Sequence, residues 1–337
     1  MHQQSSRPLT PQNTPDHDRF RGCLLGLAAG DAVGTTAEFH PRGSFPPITG
    51  MKGGGPFALN PGEWTDDTSM ALCLAHSLLE VGGFDTADQM RRYSDWQERG
   101  YMSSNGRCFD IGNTVSRSLE HFRRTGDPFS GSTDPRTAGN GSIMRLAPVP
   151  MALHDQPELL DQWCADSSRT THAAAECLEA CVLLGRMLQR ALSGCGKQEI
   201  LFSEPSQDFS QDSIRILAEG HYRAYSIEEI RGSGYVVRSL EAALWCFWTT
   251  DSFEEAILTA ANLGEDADTT AAVCGQLAGA HYGERNIPDQ WLRGLVQRHA
   301  IASLADRLLA LPLTASPIPD ILMNPDFSAQ EKFHGRH

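Results

Sequence analysis

The chain has 337 residues, a formal net charge of −14, 40% hydrophobic residues and 21% charged ones. That length buries a large core, as one big domain or two small ones. The acidic balance argues against a sequence-independent grip on nucleic acid, which needs basic surface to neutralise phosphates, and no run approaches the roughly 18 apolar residues of a membrane span.

Residues 1–16 are polar and punctuated by Pro8, Pro11 and Pro15. They predict a flexible arm, either an inert extension or a partner-binding segment, and they lack the apolar centre of a signal peptide. From Arg21 onward helical spacing dominates. Met70, Leu74 and Leu78 mark one apolar face, Ala173, Cys177, Ala180, Leu184, Met187 and Ala191 a longer one, and Leu240, Leu244 and Phe247 a third. Glycine and proline fall between these segments, as in Gly53-Gly54-Gly55-Pro56, Asn60-Pro61-Gly62 and Gly126-Asp127-Pro128. No turn signal joins two alternating runs of strand length. The expected fold is all-α, a compact many-helix bundle with functional loops. No boundary interrupts it, so residues 17–313 read as a single domain followed by a tail at 314–337. Nine cysteines are scattered without a CxxC pair. An odd count without framework spacing reads as reduced thiols in a reducing compartment, the cytoplasm, and zinc-type ligand spacings are absent.

Two short segments carry most of the chemical information. Trp64-Thr65-Asp66-Asp67-Thr68 precedes the apolar run Met70–Leu79, and Gly264-Glu265-Asp266-Ala267-Asp268-Thr269-Thr270 precedes a run of small residues at 271–280. Taken singly, each reads as helix capping, since Thr65 and Asp266 are good N-caps and aspartate is favoured near a helix N-terminus. Capping needs one or two such residues, however, not two carboxylates and a hydroxyl in a tight cluster, and the repulsion of like charges so close must be offset, which a bound cation does directly. Asp66, Asp67, Asp266 and Asp268, with Thr65 and Thr269, form an all-oxygen set suited to hard cations such as Mg²⁺, Mn²⁺ or Ca²⁺. Four carboxylates exceed what one Mg²⁺ normally takes, so two divalent cations are expected. Asp266 and Asp268 are two positions apart and would diverge in a regular helix. They can converge only if Asp266 lies in the cap before the helix begins.

These segments resemble the ADP-ribosylglycohydrolase family, the group that includes dinitrogenase-reductase-activating glycohydrolase and the ADP-ribosylarginine hydrolases. The resemblance runs from about Phe20 to Tyr282 through ordered blocks: GCLLGLAAGDAVGTTAEF at 22–39, WTDDTSMAL at 64–72, CFDIGNT at 108–114, NGSIMR at 140–145, TH at 171–172 and NLGEDADTTAAVCGQLAGAHYG at 262–283. It implies an all-α fold with a dinuclear Mg²⁺ or Mn²⁺ centre on the floor of a cleft. Thr65, Asp66 and Asp67 would bind metal from one side, and Asp266, Asp268 and Thr269 from the other.

The same resemblance implies further roles, each with a plainer alternative. Glu38 matches a mobile catalytic glutamate; without the family it is as readily a surface carboxylate before the His40-Pro41 turn. Asp110 resembles a cleft aspartate acting as general base, or else it N-caps the helix carrying Val115 and Leu119. Asn140, Gly141 and Ser142, with Met144 alongside, would approach a diphosphate, although Gly and Asn also make ordinary turns. His172 would face the adenosine, or serve as a cap or core hydrogen-bonder. Tyr101, in the loop 99–107, would lie against the adenine, and Gly53-Gly54-Gly55 would hinge a lid or form a plain loop.

The first functional expectation is hydrolysis of the N-glycosidic bond of mono-ADP-ribosylated protein arginine. Serine, nucleic-acid bases and small esters are alternative acceptors. A reading from a different class is an immunity protein that binds and blocks a cognate ADP-ribosyltransferase toxin, using the arm at 1–16. A catalytically silent homologue is disfavoured because both acidic clusters are intact.

Overall fold

A computed structural model of the chain describes residues 16–313. The predicted tail at 314–337, and the arm at 1–16 apart from Asp16, lie outside the described residues. Asp16 itself is the N-cap of the first helix and accepts from the Asp18 amide.

Among the described residues fourteen α-helices follow one another, and isolated bridges are the only β pairing. They are α1 (His17–Gly34), α2 (Asp66–Val81), α3 (Thr86–Arg99), α4 (Asn113–Thr125), α5 (Pro148–Ala152), α6 (Leu160–Arg169), α7 (Ala175–Leu192), α8 (Lys197–Phe202), α9 (Asp212–Ala218), α10 (Val236–Thr249), α11 (Phe253–Ala261), α12 (Ala267–Tyr282), α13 (Asp289–Gly294) and α14 (Arg298–Leu309). The fold is all-α, as expected. The apolar faces read from the sequence fall on α2, α7 and α10 and are buried there, except that Ala173 lies before α7 begins and is half-buried. None of the described helices is long and apolar enough to cross a membrane.

The centre of the bundle is the antiparallel pair α1 and α12, which come from opposite ends of the chain. Every fourth residue of α1 along the contact is glycine. A Cβ built on Gly22, Gly26, Gly30 or Gly34 would stand 2.3, 2.4, 2.1 and 2.4 Å from the backbone carbonyl oxygens of Gly279, Gly275, Ala271 and Ala267. The two backbones therefore approach as closely as bare helices can. Both helices are buried along most of their length, and α12 also packs on α10 and α11. This pairing sets the end of α1 beside the start of α12 and fixes where Asp31 and Glu38 stand relative to Asp268.

Candidate active site

The first cluster is held in place by α1. Thr65 occupies the N-cap position of α2, with extended backbone, but its side chain makes no capping bond. That duty falls to Asp31, which is fully buried in α1. Its carboxylate accepts from the Thr65 amide at 2.9 Å and hydroxyl at 3.0 Å, and from the Thr68 amide at 3.0 Å and hydroxyl at 2.6 Å. A cap donated from another helix leaves Asp66 and Asp67, in the first turn, free of that task. Both are buried.

The second cluster depends on a turn. Gly264 and Glu265 both adopt positive φ, 69° and 60°, and Asp266 follows as the N-cap of α12, outside the helix proper. The requirement placed on Asp266 by its spacing from Asp268 is thus met. Its carboxylate accepts from Asn140 Nδ2 at 2.8 Å. The two clusters, about two hundred residues apart, meet: Thr65 Oγ1 lies 3.3 Å from Asp268 Oδ2, and Thr269 Oγ1 donates to Asp67 Oδ2 at 3.3 Å.

Glu38 and Asp110 join them. One carboxylate oxygen each from Glu38, Asp110 and Asp268 lies within 4.8 Å of the others, a cluster that can hold a metal ion. Glu38 is 2% exposed, so it is not a surface carboxylate. Asp110 is not a cap either, since α4 begins at Asn113 with Gly112 before it. Asp110 instead adopts φ 59°, a left-handed conformation that aspartate tolerates better than most residues.

Crowding marks the electrostatics. Burial, then Asp110 and Asp266, push the Glu38 carboxyl up to about 10. Burial and Asp266 push Asp110 to about 7. Asp66, Asp67 and Asp268 are raised well above the usual carboxylate range by burial first and then by neighbouring carboxylates, Asp110 and Glu38 among them in every case. Asp67 Oδ1 and Glu38 Oε2 are buried with no hydrogen-bond partner among the described residues. Orphaned buried acceptors in an all-oxygen donor set fit a hard divalent cation.

A cleft of about 320 Å³ opens above these groups. Glu38, Asp66, Asp110, Asp266 and Thr269 line one part; Asn140, Gly141, Met144 and His172 line another, with Gly139 and Gly234 beside them. His172 is buried, its Nδ1 lies 2.9 Å from Thr171 Oγ1, and burial followed by Arg145 depresses its pKa to about 3, so the ring is neutral. A Cβ on Gly141 would lie 2.7 Å from the His172 ring, which is why glycine stands there.

Two residues expected at the binding surface do not line the cleft. Ser142 is buried but does not line the cleft, because the turn that brings Asn140 and Gly141 to the surface turns the next side chain inward. Tyr101 is also absent from the lining. Its hydroxyl accepts from Arg92 at 3.1 Å and its ring meets His76, because the loop leaves α3 through left-handed Gly100. That loop supports the site instead, through Ser104 Oγ donating to the Trp64 carbonyl at 2.6 Å. The glycines at 53–55 form a pinned turn: Gly54 and Leu59 exchange backbone bonds at 2.8 and 3.0 Å, and Gly55 packs on the Thr35 carbonyl.

Sequence reasoning overlooked Arg145, whose side chain is fully buried. It donates to the Gly141 carbonyl, to Thr171 Oγ1 at 2.7 Å and to the Ser167 carbonyl at 3.2 Å, tying both walls of the cleft together. Gln276 of α12 adds bonds to the carbonyls of Ile143 and Met144 at 3.0 and 2.9 Å. A charged residue in the otherwise apolar run Ile143–Leu146 was the available signal.

Residues 12–317 match the family model for ADP-ribosylglycohydrolase, and the chain belongs to that family. It is 46% identical over 296 residues to the ADP-ribosylarginine hydrolase Tri1 of Serratia proteamaculans (strain 568), covering 86% of this chain and 79% of the relative. The protein of the same name from Pseudomonas putida (strain GB-1) is 47% identical over 302 residues, covering 89% and 80%. The ADP-ribosyl-[dinitrogen reductase] glycohydrolase of Rhodospirillum rubrum is 35% identical, covering 88% and 97%. Among solved structures, an ADP-ribosylglycohydrolase-related protein complex superposes with a TM-score of 0.78 at 44% identity, covering 88% of this chain and 98% of that one.

Proposed function

We propose that this protein hydrolyses the N-glycosidic bond of mono-ADP-ribosylated protein arginine, releasing ADP-ribose and restoring the arginine. The observation that carries the reading is the meeting of the two aspartate clusters beneath Glu38 and Asp110 in one cleft. The names and high identity of the two arginine-directed relatives support the choice of acceptor.

Thr65, Asp66 and Asp67 on one side, and Asp266, Asp268 and Thr269 on the other, would hold two divalent cations. Their all-oxygen chemistry supports Mg²⁺ or Mn²⁺. When bound, such ions supply Lewis acidity to the ribose hydroxyls and to a water molecule. The chain's own groups do the rest. Asp110, or Glu38 once bound cations offset the surrounding negative charge, would orient the attacking water and take its proton as its oxygen bonds to the ribose C1″. The C1″–N bond breaks through a transition state with oxocarbenium character, and its electron pair passes to the guanidine nitrogen, which takes up a proton. Asn140, Gly141, Met144 and His172 face the diphosphate and adenosine side. Asn140 also steadies Asp266. We further read residues 17–313 as one domain, supported by the pairing of α1 with α12, and place the protein in the reducing cytoplasm, supported by its nine free cysteines.

The test is incubation with ADP-ribosyl-arginine and ADP-ribosyl-serine peptides, with and without Mg²⁺, following ADP-ribose release. Metal-dependent release from the arginine peptide is expected. Preference for the serine peptide, or full activity after chelation, contradicts the reading.

A further inference from the structure

Three phenylalanines from separate segments pack in a row that begins at the cleft, where Phe39 lines it and Phe57 and Phe109 stand behind. Phe39 and Phe57 rings stand 6.3 Å apart at 73°, and Phe57 and Phe109 rings 5.4 Å apart at 52°. Phe39 lines the cleft and is 64% exposed, the most exposed of the large hydrophobic residues described. It is held out at a cost, because its φ of 61° is a conformation bulky side chains rarely adopt. Its amide donates to the Glu265 carbonyl at 2.7 Å, and Glu265 is itself at positive φ, so the strain belongs to the turn that aims Asp266. Folding gains little from an aromatic ring left in water; binding can.

The outer two rings are chain neighbours of the cleft carboxylates, Phe39 of Glu38 and Phe109 of Asp110. An aromatic face beside carboxylates favours a cation with apolar flanks. It disfavours a diphosphate, which the acidic groups would repel. The phosphates therefore belong toward Asn140, Gly141 and His172, and the rim is left to the other end of the substrate.

Resting on the arginine reading above, we propose that Phe39, Phe57 and Phe109 form the docking surface for the acceptor side of the substrate: the guanidinium and aliphatic stem of the modified arginine stack on the rim while carboxyl oxygens of Glu38 and Asp110, which line the cleft beside it, accept from the guanidinium N–H groups. The rim thus selects the acceptor that the metal-floored cleft alone does not distinguish.

The experiment compares wild type with Phe39→Leu, Phe39→Trp and Phe109→Leu, measuring kcat and KM on an ADP-ribosyl-arginine peptide, turnover of an ADP-ribosyl-serine peptide, inhibition by free ADP-ribose and thermal unfolding. Because Phe39 is exposed, its leucine variant keeps the fold. Phe39→Leu should lower kcat/KM on the arginine peptide about tenfold, mostly through KM. Phe39→Trp should recover most of it, and the ADP-ribose inhibition constant should stay within about twofold in both. A parallel weakening of ADP-ribose inhibition would assign the rim to the adenine and overturn the proposal. So would arginine-peptide kinetics in Phe39→Leu and Phe109→Leu indistinguishable from wild type, which leaves the arginine reading intact. Wild-type turnover of the serine peptide alone sinks the arginine reading, and the guanidinium dock with it.

Discussion

An alanine at Gly34 tests whether the α1–α12 contact positions the site. The added Cβ would stand 2.4 Å from the Ala267 carbonyl oxygen and 2.6 Å from Asp268 Cα, whereas ordinary contact begins at 3.4 Å. The two helix ends must separate by about 1 Å, since the obstacles are backbone and cannot rotate away. Overpacking of this kind costs about 1–3 kcal/mol, offset by up to about 1 kcal/mol from alanine's better helix propensity. Asp268 moves with the displaced backbone, away from Thr65 and Glu38, and a misplacement of about 1 Å costs on the order of 100-fold in turnover. Gly22→Ala supplies the control. Its Cβ meets the Gly279 carbonyl at 2.3 Å, an equal clash, but about 18 Å away along the helix. Both variants should unfold at lower temperature than wild type, while only Gly34→Ala loses most of its ADP-ribose release under conditions where both are folded. Equal losses of activity in the two variants, or near-wild-type turnover in Gly34→Ala, refute the reasoning.

Further expectations concern charge and support. Asp31→Asn leaves an amide where Thr68 presents two donors, and should cost about 2–3 kcal/mol in unfolding experiments and lower metal-dependent activity; wild-type stability would contradict the capping role. Asp67→Asn should abolish turnover, and Mg²⁺ should raise the melting temperature of wild type but not of this variant; an equal Mg²⁺ effect on both would remove Asp67 from the metal site. For Asp110 the folded pKa is raised from 3.8 to about 7. Its contribution to the stability of the metal-free protein is therefore fully present below about pH 4 and lost as pH rises toward 7. The advantage of Asp110→Asn over wild type, measured by chelator-treated melting, should grow across that window by a few kcal/mol; a constant or shrinking difference would show that Asp110 is not crowded. Gly141→Ala should weaken ADP-ribose inhibition by about tenfold by displacing the His172 ring, and unchanged inhibition would put His172 outside the binding surface.

The helices and the two acidic clusters were legible in the sequence because each leaves a local signature. Apolar residues at helical spacing gave α2, α7 and α10, and carboxylates packed more densely than capping needs gave Asp66, Asp67, Asp266 and Asp268. Glu38 and Asp110 needed the family resemblance, since a lone acid before a turn carries no mark of whether it faces water or a cleft. Ser142 and Tyr101 were misplaced for one reason: the direction of a side chain in a loop depends on φ at the preceding glycine or turn, as at Gly100, and residue type does not encode it. The glycine series at 22, 26, 30 and 34 was in plain view at helical spacing, yet its partner lay about 240 residues downstream, and period alone names no partner.

Placing the six proposed ligand side chains at two helix N-termini at first looks wrong for a cation, because the partial positive charge of each helix opposes it. The geometry resolves the conflict. The α2 end is neutralised by Asp31, whose carboxylate takes the Thr65 and Thr68 amides, so what faces the cleft from that helix is carboxylate rather than bare amide. At α12, Thr269 donates its amide to Asp268 Oδ1 at 2.8 Å, spending part of that helix's positive end on its own ligand residue. The helix termini thus orient the aspartates, whose carboxyls burial and crowding hold well above the usual carboxylate range, and the opposing partial charge is consumed before it reaches the cleft. On this view Asp31, through its bonds to Thr65 and Thr68, is as necessary to the proposed metal site as any residue that would touch an ion, although it would touch none.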